Sequence, residues 1–275
     1  MQIYFYLLLF QFLLISPAVF DPVCCQSSIG SIPLPAKDFH RMVIKQSSFA
    51  QWLRELPLKN PGASVLNYRG DIFKTGTDTS VAFVVNLDIK GRRLEQCMDI
   101  LVRLYTEYLW DVRELRNLIL PLPGGYWLKW MEWKEGFRPV FRGVNVKMMN
   151  SAKPDSSYKT YKTYLNTVYS ESHTQQFYHA YLPVKRTEVQ IGDIIIKKGT
   201  KGHAIMIVDL AINEQGKKIA LIGNGDTPAC QFFLLNHKAE SPWIPLNFDQ
   251  ETLDLPLKRK LGWDGLRRFG LPRIE

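Results

Sequence analysis

Short apolar runs alternate with turn residues over residues 190–235, the most regular stretch of the chain. Ile, Val and other apolar residues fill the runs, and Gly, Asn and Lys are concentrated in the connections. Such runs predict strands, and short connections place consecutive strands side by side in antiparallel order. The four predicted strands are residues 193–197, 204–208, 218–223 and 230–235.

Helical periodicity predicts three helices outside this meander, over residues 47–56, 92–110 and 157–169. In the first helix, Phe49, Trp52 and Leu53 share one face, and Ser47 or Ser48 is a suitable N-cap. Residues 68–74 and 80–87 predict two more strands. The predicted fold class is therefore α+β, with an antiparallel sheet packed with helices.

The beginning of the chain predicts export. Residues 3–20 form an uncharged apolar run, with small residues at Ser16 and Ala18. We expect residues 1–18 to be a signal peptide, residues 19–38 a linker and residues 39–275 a single domain. The expected location is the periplasm or cell envelope. An uncleaved anchor is the alternative, and it would be the protein's membrane contact.

Lipid anchoring at Cys24 or Cys25 is a further alternative for the N-terminal region. A lipoprotein carries a small residue before its acylated cysteine, whereas Val23 precedes Cys24 and Cys24 precedes Cys25. Cys97 and Cys230 complete the four cysteines, too few for a disulfide scaffold in 275 residues. No Cys/His spacing resembles a zinc site, so we expect neither a metal nor a cofactor.

The net charge of +9 suits either an acidic partner or simply a solvated basic surface. No helix-turn-helix, zinc-finger or RNA-binding signature accompanies this charge, and nucleic acid is therefore not an expected partner.

Candidate chemistry begins at His203, which precedes the apolar run of residues 204–208. If the turn at residues 211–217 places His203 opposite Asn224, the two side chains share one face of the sheet. A register shifted by one residue puts Ala204 opposite Asn224 instead. We predict that Asn224 orients the imidazole, with Asp226 as the substitute. The alternative is a core histidine that hydrogen-bonds its neighbours.

A histidine held by an asparagine is part of a cysteine-hydrolase site, in which a thiolate attacks and the histidine moves the proton. Cys97 precedes His203 in the chain and is the candidate nucleophile. The predicted helix over residues 92–110 puts Cys97 well inside its apolar stripe, which also fits an ordinary core residue. Gln96 is a candidate oxyanion donor if its side chain turns inward.

An aromatic segment provides the alternative to catalysis. Trp127, Trp130 and Trp133 lie in residues 126–139 and are candidate binding residues for sugar or peptide. An amphipathic segment packed on the core explains the same pattern.

Two resemblances bear on function. The block GDIIIKKGTKGHAIMIVDLAINEQGKKIALIGN resembles the His-bearing sheet of papain-like and cell-wall amidohydrolase families, and QCMDILVRLY resembles their Cys-bearing helix. The blocks SFAQWLRELPLK, NLDIKGRRLEQCMDILVRLYTEYLW and YLNTVY, with the final SPW, resemble a family of exported bacterial proteins, domain of unknown function 4846.

The resemblances imply a papain-like sheet, a bacterial envelope setting and no established activity. Two hypotheses follow. The first is a cysteine hydrolase of peptide or amide bonds, with peptide, peptidoglycan or another envelope polymer as partner. The second is a non-catalytic envelope protein that binds through its aromatic surface.

Overall fold

The computed structural model describes residues 27–199, 201–238 and 241–272. The predicted signal peptide, Cys24 and Cys25 lie outside these residues. Within them the α-helices are α1 (Phe49–Glu55), α2 (Cys97–Asp111), α3 (Trp130–Trp133), α4 (Tyr158–Glu171) and α5 (Thr174–Ala180). In the same part of the chain, no helix combines the length and apolar character needed to cross a membrane.

The strands form one large sheet and three separate hairpins, and every pairing is antiparallel. The hairpins pair β2 (Val65–Leu66) with β3 (Ile72–Lys74), β5 (Ile119–Pro121) with β6 (Trp127–Lys129), and β7 (Phe137–Arg142) with β8 (Asn145–Asn150). The large sheet contains β1 (Phe39–Arg41), β4 (Val81–Val84), β9 (Tyr181–Pro183), β10 (Ile194–Lys197), β11 (His203–Asn213), β12 (Lys218–Asn224), β13 (Phe233–Leu235), β14 (Trp243–Pro245) and β15 (Leu266–Pro272). The predicted α+β class is confirmed.

The predicted meander is confirmed and forms the centre of this sheet. Strands β10, β11, β12 and β13 are consecutive neighbours in the order β4-β13-β12-β11-β10-β15-β9. β11 is the longest strand, with 11 residues, and it also pairs with β1 near its far end. Because apolar residues on this strand point to both sides, each face of the sheet must be covered.

Two hydrophobic clusters cover the two faces. On one face Ala204, Met206 and Val208 pack with apolar residues of all five described helices. On the other face Ile205 and Ile207 pack with extended segments, among them Leu261 and other residues of the C-terminal region. Alternate residues of β11 therefore belong to different clusters, as the pleat of a strand requires.

The C-terminal tail, residues 242–275, is rich in Pro, Trp and Leu, which predicts a segment wrapped on the surface. The structure differs from this expectation. β14 adds to β12 and β15 adds to β10, so the tail supplies two strands of the large sheet. Leu253, Leu261 and Trp263 are buried in the second cluster. The reason is that this face of the sheet is apolar and the helices lie on the other side.

The folded unit also begins earlier than predicted. Residues 19–38 were expected to be a linker, yet Ile29 and Ile32 are buried in the helix-side cluster. Ile29 donates its backbone N–H to the carbonyl of Leu56, which ties the segment to the end of α1. Apolar side chains within a Ser/Pro-rich stretch were the available signal.

Two helices begin directly after a serine N-cap. Ser48 accepts a hydrogen bond from the backbone N–H of Gln51, and Ser157 does the same for Thr160, which confirms both expected helix starts within one or two residues. α2 is different, because it begins at Cys97 rather than at Arg92. Residues 92–96 form turns before it.

Candidate functional site

His203 and Asn224 are hydrogen-bonded to each other in the interior. The Nε2 atom of His203 lies 2.7 Å from Oδ1 of Asn224, and both residues are buried. An amide oxygen only accepts hydrogen bonds, so Nε2 carries the proton and donates it. The predicted pairing of these two side chains on one face is confirmed.

The register that produces this contact is not the predicted one. Ile205, rather than His203, lies opposite Asn224 across β11 and β12. His203 is two residues before Ile205 and so occupies the same face as a diagonal neighbour of Asn224. The predicted substitute, Asp226, has its carboxylate 3.4 Å from Arg259.

Cys97 is the first residue of the 15-residue helix α2, which corrects its predicted position deep inside a helix. Gln96 has an extended backbone, and its N–H donates to the carboxylate of Asp99 at 3.2 Å. An acidic side chain that reaches back from the third helical residue is a helix-start signal, and the periodicity alone does not reveal it. Cys97 therefore lies at the positive end of the helix dipole.

Gly225 lets the end of β12 approach the start of α2. A Cβ atom at Gly225 would lie 2.5 Å from Cγ2 of Ile100 and 3.5 Å from Cα of Cys97. The missing side chain thus brings the residue after Asn224 against the helix terminus that carries Cys97. Thr227 adds a second link, since its hydroxyl donates to the side-chain oxygen of Gln96 at 2.9 Å.

Electrostatics keep both the thiol and the imidazole uncharged. Burial raises the pKa of Cys97 to about 11, and the charge of Asp99 acts in the same direction. The backbone N–H groups of Ala204 and Met98 oppose this by lowering the pKa of that thiol. Burial lowers the pKa of His203 below its usual 6.5, while the hydrogen bond that His203 donates to Asn224 acts in the opposite direction and raises that pKa.

Cys97 borders an open cleft of about 730 Å³, whereas His203 and Asn224 lie in the interior beside it. The cleft is lined by the start of α2, the α4–α5 connection, the turn before β11, and the two residues Thr227 and Arg259. Its polar lining includes Gln96, Asp99, His173, Gln176, Lys201 and Arg259.

Sequence reasoning missed Asp99 and Arg259 as members of this cleft. The i,i+4 spacing of Asp99, Arg103 and Glu107 predicts a charge ladder on a helix face away from the apolar stripe. Asp99 is instead buried beside Cys97, and burial raises the pKa of its carboxyl well above the usual range. Arg259 belongs to the C-terminal tail, which adds strands to the large sheet instead of only wrapping its surface. The i,i+3 relation of Gln96 and Asp99 was the available signal for Asp99.

Within the described part of the chain, the Cys97 thiol and the His203 ring are not hydrogen-bonded to each other. The thiol instead lies beside the N–H of Ala204, the residue that follows His203. The sequence order Cys97, His203, Asn224 therefore brings three elements together at one end of the sheet, namely the starts of α2 and β11 and the end of β12.

Of the three candidate aromatic binding residues, two are core residues. Trp130 is 0% exposed and Trp133 is 2% exposed, and both rings pack edge-on against Tyr164. A ring at this depth cannot form a contact surface, so the binding prediction for Trp130 and Trp133 is wrong. Trp127 is half-buried and borders a cleft of about 570 Å³ with Tyr105 and Tyr181.

No group of three or more His, Cys, Asp or Glu side chains suited to a metal ion occurs in residues 27–199, 201–238 and 241–272. Fold and site together define an α+β protein whose antiparallel sheet carries a buried histidine–asparagine pair next to a helix-terminal cysteine. A family model described as domain of unknown function 4846 matches residues 30–259, and the chain belongs to this family. No curated protein and no solved structure gives a significant match.

Proposed function

We propose that the protein is a cysteine hydrolase of peptide or amide bonds, with Cys97 as nucleophile, His203 as base and Asn224 as orienter. The observation that carries the proposal is the 2.7 Å bond from His203 Nε2 to Asn224. This bond occupies one ring nitrogen and fixes the tautomer, so Nδ1 is the nitrogen that accepts a proton. Papain-like sites use the same three residue types in the same order.

In the proposed reaction the Cys97 proton moves to Nδ1 of His203 while the sulfur attacks the substrate carbonyl carbon. His203 then gives the proton to the leaving amine, which leaves a thioester on Cys97. Water, activated by His203, hydrolyses the thioester and releases the acid and the free thiol. In this proposal the first N–H groups of α2, with the Gln96 amide N–H as a further donor, stabilise the oxyanion.

His203 is in the neutral form that a general base requires. Burial lowers its pKa, so the imidazole is neutral at pH 7 and can accept a proton. Burial also raises the pKa of Cys97 to about 11, so the thiol needs that base to ionise. Proton transfer is therefore coupled to attack on the substrate.

The test is alkylation of the native full chain with iodoacetamide at pH 7, read at each cysteine by peptide mass spectrometry. Cys230 is the matched control, because it is a second buried free thiol and burial raises its pKa to about 12. We expect Cys97 to react faster than Cys230, and His203→Ala to slow Cys97 without affecting Cys230. Cys97 labelling that is no faster than Cys230 labelling, or that His203→Ala does not slow, would contradict the proposal.

Cys97→Ser is the activity test. It is expected to abolish release of amine from peptide and peptidoglycan-fragment substrates while the protein stays folded. Unchanged hydrolysis in this variant would exclude Cys97 as nucleophile.

A second candidate function, binding without catalysis, is favoured by the Trp127 cleft. Its aromatic and apolar wall, with Tyr105, Ile119 and Tyr181, offers flat contact area to a sugar or peptide. Trp127→Ala is expected to weaken binding of such ligands, measured by tryptophan fluorescence. Phe137→Ala, at an exposed aromatic outside this lining, is the control.

We also propose that the chain is exported to the cell envelope, and the support is the apolar run of residues 3–20. N-terminal sequencing of envelope material is expected to give a mature start near Val19. Intact Met1 on cytoplasmic protein would exclude cleavage and export.

A further inference from the structure

A second cleft, of about 380 Å³, lies between the loop before α2 and one face of α4. On α4 it is bordered by Lys159, Lys162, Asn166 and Tyr169. These positions are separated by three, four and three residues, so they lie along one face of the helix. The opposite wall includes Lys90, and the amino groups of two separate elements therefore border the same space.

The charges around this cleft are not balanced. Its two carboxylates already face arginines, since Glu95 bonds Arg92 at 2.7 Å and Arg103 at 2.9 Å, and Asp88 lies 3.7 Å from Arg92. Across the described ranges, the three lysines Lys90, Lys159 and Lys162 form no ion pair. The cleft therefore has an excess of positive charge carried by its lysines.

A buried hydroxyl, on a tyrosine that borders both this cleft and the Cys97 cleft, is the second feature. Tyr169 is 5% exposed, and its hydroxyl has no hydrogen-bond partner within the described part of the chain. A buried O–H without an acceptor is unfavourable, and an oxygen of a bound anion is an acceptor that would satisfy it. Asn166 lies on the same face of α4 and offers an amide N–H.

We propose that this cleft is a binding site for a tetrahedral oxyanion, a phosphate or sulfate group carried by a small solute. Lys90, Lys159 and Lys162 supply the charge, and the Tyr169 hydroxyl donates to an anion oxygen. Tyr169 also borders the Cys97 cleft, but none of Cys97, His203 and Asn224 lines this second cleft, and the proposal does not depend on the chemistry proposed at Cys97.

The test is titration calorimetry of the full chain with inorganic phosphate and with sulfate, and with chloride at matched ionic strength as the screening control. Phosphate or sulfate is expected to bind and chloride is not. Equal responses to all three salts would overturn the proposal.

A pair of double variants locates the site. Lys90→Ala with Lys162→Ala is expected to weaken phosphate binding about tenfold or more. Lys147→Ala with Lys153→Ala removes the same charge from exposed lysines outside the cleft and is expected to leave binding unchanged. Equal weakening in both double variants would show general charge attraction and overturn the site. Unchanged binding in the first variant would also overturn it.

Tyr169→Phe tests the buried hydroxyl, which makes no bond that folding requires. It is expected to weaken phosphate binding severalfold while the melting temperature does not fall. If the variant binds phosphate as tightly as the natural protein does, the Tyr169 hydroxyl does not contact the anion. The proposed site would then lack its buried donor, and the proposal would be contradicted.

Discussion

His203 reaches Asn224 because β11 contains a bulge between them. Near the turn, Ile212 pairs with Lys218 and Asp209 pairs with Leu221. If that register continued, Met206 would lie opposite Asn224 and His203 would point to the other face. The register shifts between Ile207 and Asp209, and from there Ile205 lies opposite Asn224. One extra residue thus decides whether the imidazole and the amide meet.

Asp209 holds the bulge in place. Its buried carboxylate bonds Arg41 of β1 and Arg54 of α1, each at 2.7 Å, and it also accepts the backbone N–H of Leu210 at 2.8 Å. Asp209→Ala is expected to lower the free energy of unfolding by about 3 kcal/mol, because two arginines lose their shared partner. The same variant is expected to perturb the His203–Asn224 bond, seen as a changed imidazole resonance by NMR.

Asp254→Ala is the control for that prediction. Asp254 is 62% exposed and pairs with Lys238 at 3.3 Å, so its loss is expected to cost less than about 1 kcal/mol. Equal losses in the two variants, measured by urea unfolding, would contradict an anchoring role for Asp209.

Asn224→Ala removes the acceptor of the buried His203 N–H. We expect a loss of about 1–3 kcal/mol in unfolding free energy, because the ring N–H stays buried without a partner. The pKa of His203 is expected to fall further, since the hydrogen bond that His203 donates to Asn224 raises it. An NMR titration of the imidazole measures this. Asn213→Ala, at the other end of the strand pair, is expected to leave the His203 titration unchanged.

Gly225→Ala tests the close approach between β12 and α2. The new Cβ would meet Ile100, which is 0% exposed and cannot move aside. We expect a loss of about 1–3 kcal/mol and a displaced helix start, so Cys97 alkylation changes in rate. Gly216→Ala has no atom within 4 Å but a φ of +76°, so it is expected to cost about 1 kcal/mol while Cys97 labelling is unchanged. Identical Cys97 labelling in the two variants would argue against the approach as a determinant of the site.

His203 makes both reactivity and stability depend on pH. Its pKa in the folded protein lies below 6.5, so the neutral base persists at neutral pH and is lost only as the pH falls through that lowered value. The rate of Cys97 labelling is expected to fall over the same pH range, because the neutral imidazole is lost there. A labelling rate that already declines above pH 6.5 as the pH is lowered would contradict a neutral buried imidazole.

The free energy of unfolding also depends on pH through His203. The unfolded chain binds a proton on His203 more strongly than the folded chain does, so stability decreases as the pH falls below 6.5. Relative to His203→Gln, the natural protein is expected to lose up to about 1.4 kcal/mol per pH unit between the two pKa values. Urea unfolding of both proteins across this range measures the difference.

Local sequence determined the strands of the meander and the starts of two helices. Apolar runs between turn residues specify β10 to β13, and the caps Ser48 and Ser157 specify α1 and α4. These features depend on neighbours within a few residues, where period and capping chemistry are decisive. The short turn also places β11 beside β12, but the register that brings His203 to Asn224 depends on the bulge between Ile207 and Asp209.

Tertiary structure decided what covers each apolar surface and where the regular pattern is interrupted. Trp130 and Trp133 are equally compatible with a surface or a core in the sequence, and packing against α4 placed them inside. The C-terminal tail became a second core because the sheet face opposite the helices required burial. The bulge lies next to Asp209, whose carboxylate meets Arg41 and Arg54, two residues far away in sequence. Periodicity records only which residues avoid water, whereas long-range ion pairs and packing decide which partners they find.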